Sequence, residues 1–387
     1  SIASATGRSC MSTTRRRSSC RGAIDGCISS VSGTTTSPRP LGVALVGLGF
    51  GEKVHLPALR DCPLTEPVAL WHHRPERLQQ ACAASGLPGF ERFEALLDDP
   101  RVQALVIATP PEPRFALAQA AIAAGKHLLL EKPVALEAAQ IETLQRQALA
   151  AGVTVAVDFE YRAVPLFQQL AQLIQSGVLG ELYLVKLDWL MASRADAQRP
   201  WNWYSQVSQG GGVLGALGTH AFDTLHWLVG PTRQLRAHLQ TAIQQRPLPE
   251  PGGPLASVDA EDIALVQMEL ETAAGQRVPA QLNLASVTRS GRGYWLEVYG
   301  SEGTAVLGSS NQADYVHGFG LWHAQGSEAL RSVPADPQWA FSRTWEDGRI
   351  APVERLHAWW SSAVREGRPM VPGLSEGVRS QRCCDWA

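Results

Sequence analysis

The chain has 387 residues, 45% hydrophobic and 18% charged, with a formal net charge of −2 at pH 7. That length exceeds one ordinary core and predicts two domains. The near-neutral charge gives no electrostatic footprint for nucleic acid or an anionic membrane, and no apolar run reaches the ~20 residues of a membrane span.

Residues 1–40 are rich in Ser, Thr and Arg, carry one acid (Asp25) and lack apolar periodicity. Such a segment cannot bury enough surface to offset its ordering entropy. It is expected to be a disordered tail, or sequence upstream of a start such as Met11. An organelle transit peptide has the same composition and is the alternative. The seven cysteines show no metal-ligand spacing and no disulfide framework. A reducing, cytoplasmic setting without a metal centre is therefore expected.

From Leu41 the pattern alternates strand and helix. Gly42–Val46, Pro67–Trp71, Ala104–Ala108, His127–Leu130 and Val153–Val157 are short apolar runs. Pro75–Ser85, Phe115–Ala124 and Leu136–Ala151 are helical, the last two closed by Gly125 and Gly152. This alternation predicts an α/β Rossmann domain over 41–162 with a doubly wound parallel sheet. After a helix at Pro165–Ser176 the texture changes to longer runs at Leu182–Leu190, Ile263–Leu270, Val278–Val287, Tyr294–Tyr299 and Thr304–Leu307. Residues 163–387 are read as an α+β domain with a large, mostly antiparallel open sheet for substrate binding and oligomerisation. The proline-rich Arg246–Pro254 reads as a loop, and a late helix covers about Val353–Arg365. Ala264, Val266, Met268 and Leu270 alternate as a bare sheet face to be covered by a second copy, so a homodimer or homotetramer is expected.

The first strand leads into Gly47-Leu48-Gly49-Phe50-Gly51. Gly47 suits a tight turn and Gly49 a close approach to a pyrophosphate, with Phe50 beside it. The third glycine falls at Gly51, one residue before its fingerprint position, which is Glu52. The second strand ends Trp71-His72-His73-Arg74 without the acid that binds a ribose 2′-hydroxyl. His73 and Arg74 suit a 2′-phosphate, so NADP(H) is favoured and NAD(H) is the alternative. Thr109, Pro110 and Pro111 end another strand, as a wall for the nicotinamide or as plain punctuation. His127–Leu130 delivers Glu131-Lys132-Pro133 to the carboxyl edge of the sheet, where ligands sit. Lys132 is one of four lysines in a chain that otherwise uses arginine. An ammonium can share a proton with substrate, whereas a guanidinium stays protonated.

In order along residues 41–385, these motifs resemble the Gfo/Idh/MocA family of oxidoreductases. The resemblance rests on Gly47-Leu48-Gly49 with His55, Ala108-Thr109-Pro110-Pro111, Glu131-Lys132-Pro133 and Tyr161-Arg162 with Pro165. It continues through Gly210-Gly211-Gly212, Gly218-Thr219-His220 with Asp223, and Val298–Thr304. It implies an NAD(P)-dependent oxidoreductase acting on a sugar, cyclitol or similar polyhydroxylated small molecule. It also implies that Lys132 touches the reacting oxygen, with Glu131 and Lys132 at the cofactor, and that His220 faces it as proton donor or acceptor.

One departure stands out. The family's Asp four residues before the histidine is here Ala216. Glu160 and Asp158, at the end of the Val153–Val157 strand, are candidates for the missing carboxylate. Asp223 is placed to contact substrate hydroxyls or to serve packing. Arg162 is a candidate for an anionic substrate group or for a buried ion pair. Trp203, within Trp201–Tyr204, is a candidate for stacking on a sugar face or for core packing. The chain ends abruptly at Cys383–Ala387, which reads as a truncated helix. A catalytically impaired NADP(H)-binding sensor or scaffold is the rival function. Carbonyl or imine reduction and redox-assisted glycoside cleavage are alternatives within the enzyme class.

Overall fold

The computed structural model describes residues 39–311, 314 and 316–387. The tail expected over residues 1–40 lies, up to residue 38, outside the described residues.

The first sheet has six parallel strands: β1 (Leu41–Val46), β2 (Thr65–Trp71), β3 (Gly89–Phe90), β4 (Ala104–Ile107), β5 (His127–Leu130) and β6 (Val155–Val157). Their order is β3-β2-β1-β4-β5-β6, so the chain reverses direction across the sheet between β1 and β4. That switch point is where a doubly wound sheet opens a ligand crevice. The crossovers carry α1 (Leu56–Asp61), α2 (Pro75–Ser85), α3 (Phe93–Asp98), α4 (Pro111–Ala123) and α5 (Ala138–Ala151). All six residues of β1 are buried. A strand covered on both faces has no polar side, hence the unbroken apolar run. Gly86 and Gly152 close α2 and α5 at φ 73° and 65°, left-handed caps that need no Cβ.

After α6 (Pro165–Gln175) come β7 (Leu182–Leu190), α7 (Thr219–Leu228), β8 (Thr232–Gln240), β9 (Gln245–Pro247) and β10 (Leu255–Ser257). Then follow β11 (Ile263–Glu271), β12 (Arg277–Ala285), β13 (Gly293–Gly300), β14 (Gly303–Ser309), β15 (Gly320–Gln325) and β16 (Arg331–Val333). Eight of them form one sheet in the order β16-β15-β14-β13-β7-β12-β11-β8, antiparallel except for the β12–β7 pair. The helices α6 and α7 cover one face. Ala264, Val266, Met268 and Leu270 point to that face and are buried in the same core as Phe167, Phe222 and Leu225. The expectation that these four await a second copy is thereby corrected: the subunit covers them itself. The opposite face carries Leu265, Asn283, Asp188 and Trp295 in one register row.

Two further departures come from polar sequence. The start of the expected loop 246–254 lies in β9, which pairs with β10 just beyond the loop, and β8, with Arg233, Gln234 and Arg236, is an edge strand whose exposed side tolerates charge. Finally, α8 (Ile350–Glu366) and α9 (Leu374–Trp386) return to the first sheet. Leu356 and Trp360 pack with Leu45 of β1, and Leu374 and Val378 with Val157 of β6. Cys383 of α9 lies in the core of the second sheet, so this helix packs on both sheets. No helix among the described residues is long and apolar enough to cross a membrane.

Candidate active site

A cleft of about 1330 Å³ opens at the β1/β4 switch point. Gly47 forms its floor at φ 94°, and a Cβ there would lie 2.7 Å from the backbone of Ala108 and Thr109. Only glycine lets the β1 turn cross the end of β4 so closely. Gly49 has nothing within 4 Å of its Cβ position, so its backbone faces open space. A Cβ on Gly51 would come 3.0 Å from Leu45. Gly51 therefore provides the close helix–strand packing of a third glycine, one residue early. The helix opens there on a π turn, Gly51–His55, before α1.

Phe50, His73, Arg74, Thr109 and Pro110 all border the same cleft. Arg74 and His73 are exposed, with Arg74 Nε 3.3 Å from His73 Nε2. The Thr109 hydroxyl is buried and has no hydrogen-bond partner among the described residues. Such orphans are rare unless a ligand completes them. Open backbone at Gly49, an orphaned hydroxyl and a cationic β2 end together fit a dinucleotide.

Below the cleft lies a buried polar cluster. Glu131 Oε1 is 2.9 Å from His55 Nε2, Asp158 Oδ2 is 3.3 Å from the same nitrogen, and His55 Nδ1 is 3.0 Å from His357 Nε2. Burial alone would raise Glu131, but the hydrogen bond and charge of His55 hold it below the usual carboxylate range. Burial and the neighbouring carboxylates push Asp158 well above its usual value. Ligand-type atoms of His55, Glu131 and Asp158 lie within 4.8 Å of one another. His55 already bonds Glu131 directly, so the cluster reads as a hydrogen-bonded anchor. Arg114, buried inside α4, binds the backbone oxygens of Thr109, Glu131 and Pro133 and fixes the strand ends from the side.

Above that anchor stands Lys132, whose Nζ donates to the carbonyl of Ala216 at 3.0 Å. Ala216 belongs to a second π turn, Leu214–Gly218, that leads into α7 and presents His220. Single π turns inside helices often mark functional sites. His220 is enclosed by Tyr161 (ring centroids 5.0 Å apart), Phe159 (6.0 Å) and Trp189 (6.3 Å). Burial, reinforced by the charge of Lys132, keeps its pKa well below the ordinary value. Its Nδ1 has no hydrogen-bond partner among the described residues, and its Nε2 lies 3.5 Å from Glu160 Oε2. Glu160 is buried, and that burial raises its pKa to about 8 despite Lys132. Lys132, Glu160 and His220 all line the cleft.

Two expected substrate-binding residues fall elsewhere. Arg162 donates from Nε and Nη2 to the two oxygens of Asp223, each at 2.7 Å, and both are buried away from the cleft lining. In this pairing each satisfies the other's buried charge, which favours the ion-pair reading of Arg162 and the packing reading of Asp223 over contact with substrate. Trp203 does border the cleft, with Trp201, Tyr204 and Leu248. Trp201 anchors this wall, its N donating to Pro247 O at 2.7 Å and its Nε1 to Ser257 O at 2.9 Å. Sequence reasoning missed Arg114, His357 and the cleft-lining Arg349. Arg114 and His357 sit within helices, where Arg and His are ordinary, and nothing local marks them.

Residues 41–159 match the Gfo/Idh/MocA family description "Oxidoreductase family, NAD-binding Rossmann fold", and residues 171–387 match "Oxidoreductase family, C-terminal alpha/beta domain". An uncharacterised oxidoreductase of Synechocystis sp. is 43% identical over 352 residues, covering 91% of this chain and 94% of that protein. Levoglucosan dehydrogenase of Pseudarthrobacter phenanthrenivorans is 28% identical, covering 88% and 93%. A solved structure of levoglucosan dehydrogenase in complex with NADH and levoglucosan shares the fold at a TM-score of 0.78 and 24% identity, covering 90% of this chain and 96% of its own. The chain belongs to the Gfo/Idh/MocA family of oxidoreductases, with an NAD-binding Rossmann domain.

Proposed function

We propose that this oxidoreductase moves a hydride between a nicotinamide dinucleotide and a carbinol or carbonyl carbon of a sugar, cyclitol or similar polyhydroxylated molecule. The observation that carries the reading is the convergence of Lys132 and His220 in the cleft that Gly47 and Gly49 floor. The nicotinamide accepts or returns the hydride, and the protein has to bind, orient and move the accompanying proton. Lys132, fixed by Ala216 and by the anchor beneath Glu131, offers N–H donors to the reacting oxygen. His220, neutral at neutral pH, borders the same space. The aromatic wall at Trp201–Tyr204 suits the apolar faces of a sugar ring, and related dehydrogenases are named for levoglucosan and D-apiose.

For the cofactor we favour NADP(H), because the β2 end presents His72, His73 and Arg74 to the cleft without an acid. The NADH complex of the structural relative speaks for NAD(H) as the alternative. Purified protein with either dinucleotide and a panel of polyols and keto-sugars, followed by nicotinamide absorbance, tests the function. Turnover of at least one compound is expected, and dinucleotide binding without any turnover would leave only a sensor or scaffold role.

A further inference from the structure

We propose that Glu160 is the proton-transferring carboxyl of this site, standing where it can serve the reacting hydroxyl that Ala216 cannot. The proposal rests on the nicotinamide-dependent reading above and deepens it. Glu160 lies three residues after the end of β6, in a 3-10 turn (Glu160–Ala163), and so reaches the cleft from the Rossmann side. Residue 216 approaches from the second-domain side and bears only a methyl group. The backbone carbonyl of Ala216, not a side-chain carboxylate, receives Lys132. Glu160 is then the cleft-lining carboxylate within ion-pair distance of His220.

The charges around it favour the same assignment. Lys132 on the β5 end and Arg349 before α8 pull Glu160 toward ionisation, while burial and Glu131 oppose them. Asp158, two residues earlier, is itself pushed toward its neutral form, and Glu160 contributes to that push. The balance leaves Glu160 at about 8, close to a working pH, whereas His220 is held well below 6.5. A proton-transfer group works best when its pKa lies near the operating pH, because it must hold the proton and release it in one cycle. His220 would give up an acquired proton too readily to keep it, and Glu160 can do both.

In the oxidising direction the carbinol carbon loses hydride, with its bonding pair, to the oxidised nicotinamide dinucleotide. The O–H bond breaks, its proton goes to the Glu160 carboxylate, and its electron pair becomes the second C–O bond. In the reducing direction the carboxylic acid returns that proton to the oxygen. Lys132 donates to that oxygen throughout, and the neutral His220 orients the substrate hydroxyl.

The test combines Glu160→Gln and Glu160→Asp with a readout independent of turnover. Difference infrared spectra of the protein without substrate should contain a carboxylic-acid C=O band that titrates near pH 8. That band should be absent from Glu160→Gln, while the Asp158 signal remains. Turnover in Glu160→Gln should fall by about 10²–10⁴-fold with little change in KM, and the pH dependence near 8, rising with pH in oxidation and falling with pH in reduction, should vanish. Glu160→Asp, with its carboxyl drawn back by one methylene, should keep that pH dependence and lie between. Parent-like turnover and pH profile in a folded Glu160→Gln, or a Glu160 already ionised near pH 5, overturns the proposal alone. A parent that binds the dinucleotide yet oxidises and reduces nothing overturns both the proposal and the reading beneath it.

Discussion

Lys132, just beyond β5, and Ala216, in the turn before α7 and 84 residues away, are joined by a 3.0 Å hydrogen bond from Nζ to the backbone carbonyl. This bond fixes the ammonium over the cleft without a carboxylate partner at residue 216. The positive charge therefore acts on what lies in front of it: it helps to hold His220 neutral and draws Glu160 toward ionisation.

Lys132→Met should lower turnover by about 10²–10⁴-fold while dinucleotide affinity changes little, since one positioned group is lost and the pyrophosphate turn is untouched. Removing the cation disfavours the carboxylate, so the Glu160 infrared band should titrate above its parental value of about 8. Lys132→Arg should not restore turnover, because the planar guanidinium does not fit the Ala216 carbonyl and the reacting oxygen as the compact ammonium does. A Met variant with parental turnover contradicts this role.

Arg74→Ala should narrow the difference in affinity between NADPH and NADH. A 2′-phosphate contact is charge-assisted and worth roughly 1.5–3 kcal/mol, about one to two orders of magnitude in Kd. Titration by nicotinamide fluorescence reads it directly. Equal affinities for both dinucleotides in the parent would contradict the reading of the β2 end.

The pH dependence of stability has a separable contribution from His226, lowered to about 4 by burial and then by the charges of Arg379 and Arg162. A histidine with a depressed folded pKa contributes stability above its unfolded value of about 6.5. That stability is lost as pH falls toward 4, amounting to about 3 kcal/mol across the window. Glu160 has the opposite slope, stabilising below about 4.5 and losing that contribution as pH rises through 8. The difference between parent and His226→Gln isolates the histidine. Between pH 7 and 4, thermal unfolding should show a steeper loss of Tm in the parent than in the variant.

The outer face of the large sheet carries Leu265 and Leu184 exposed, and Trp295 stacked on Trp322 at 5.7 Å. Apolar groups gathered on one open sheet face favour a second copy over solvent. Light scattering at micromolar concentration is expected to give a dimer or tetramer that Trp322→Glu loosens. A monomeric parent would rule this out.

Much of the fold was legible in the sequence because burial on two faces and burial on one leave different signatures. The β1 run is apolar throughout, whereas β11 alternates. Alternation does not tell which covering the apolar side receives, so it fits a partner at Ala264, Val266, Met268 and Leu270 as well as it fits α6 and α7, which cover them. In the site, Lys132 and the glycine turn were readable because strand ends in a doubly wound sheet converge by topology. The pairing of Arg162 with Asp223 and the approach of Glu160 to His220 join residues about 60 positions apart. Charge identity alone could not choose between substrate and partner for any of the four.

The proposed nicotinamide-dependent redox chemistry on a polyhydroxylated substrate, with Lys132 at the reacting oxygen, is tested by nicotinamide absorbance with parent and Lys132→Met protein, each with NADP(H) and NAD(H), across polyols and keto-sugars. A change in absorbance with at least one compound is expected for the parent, and a loss of about 10²-fold or more in the variant. Dinucleotide binding by both proteins with no absorbance change for any compound in either direction would contradict it.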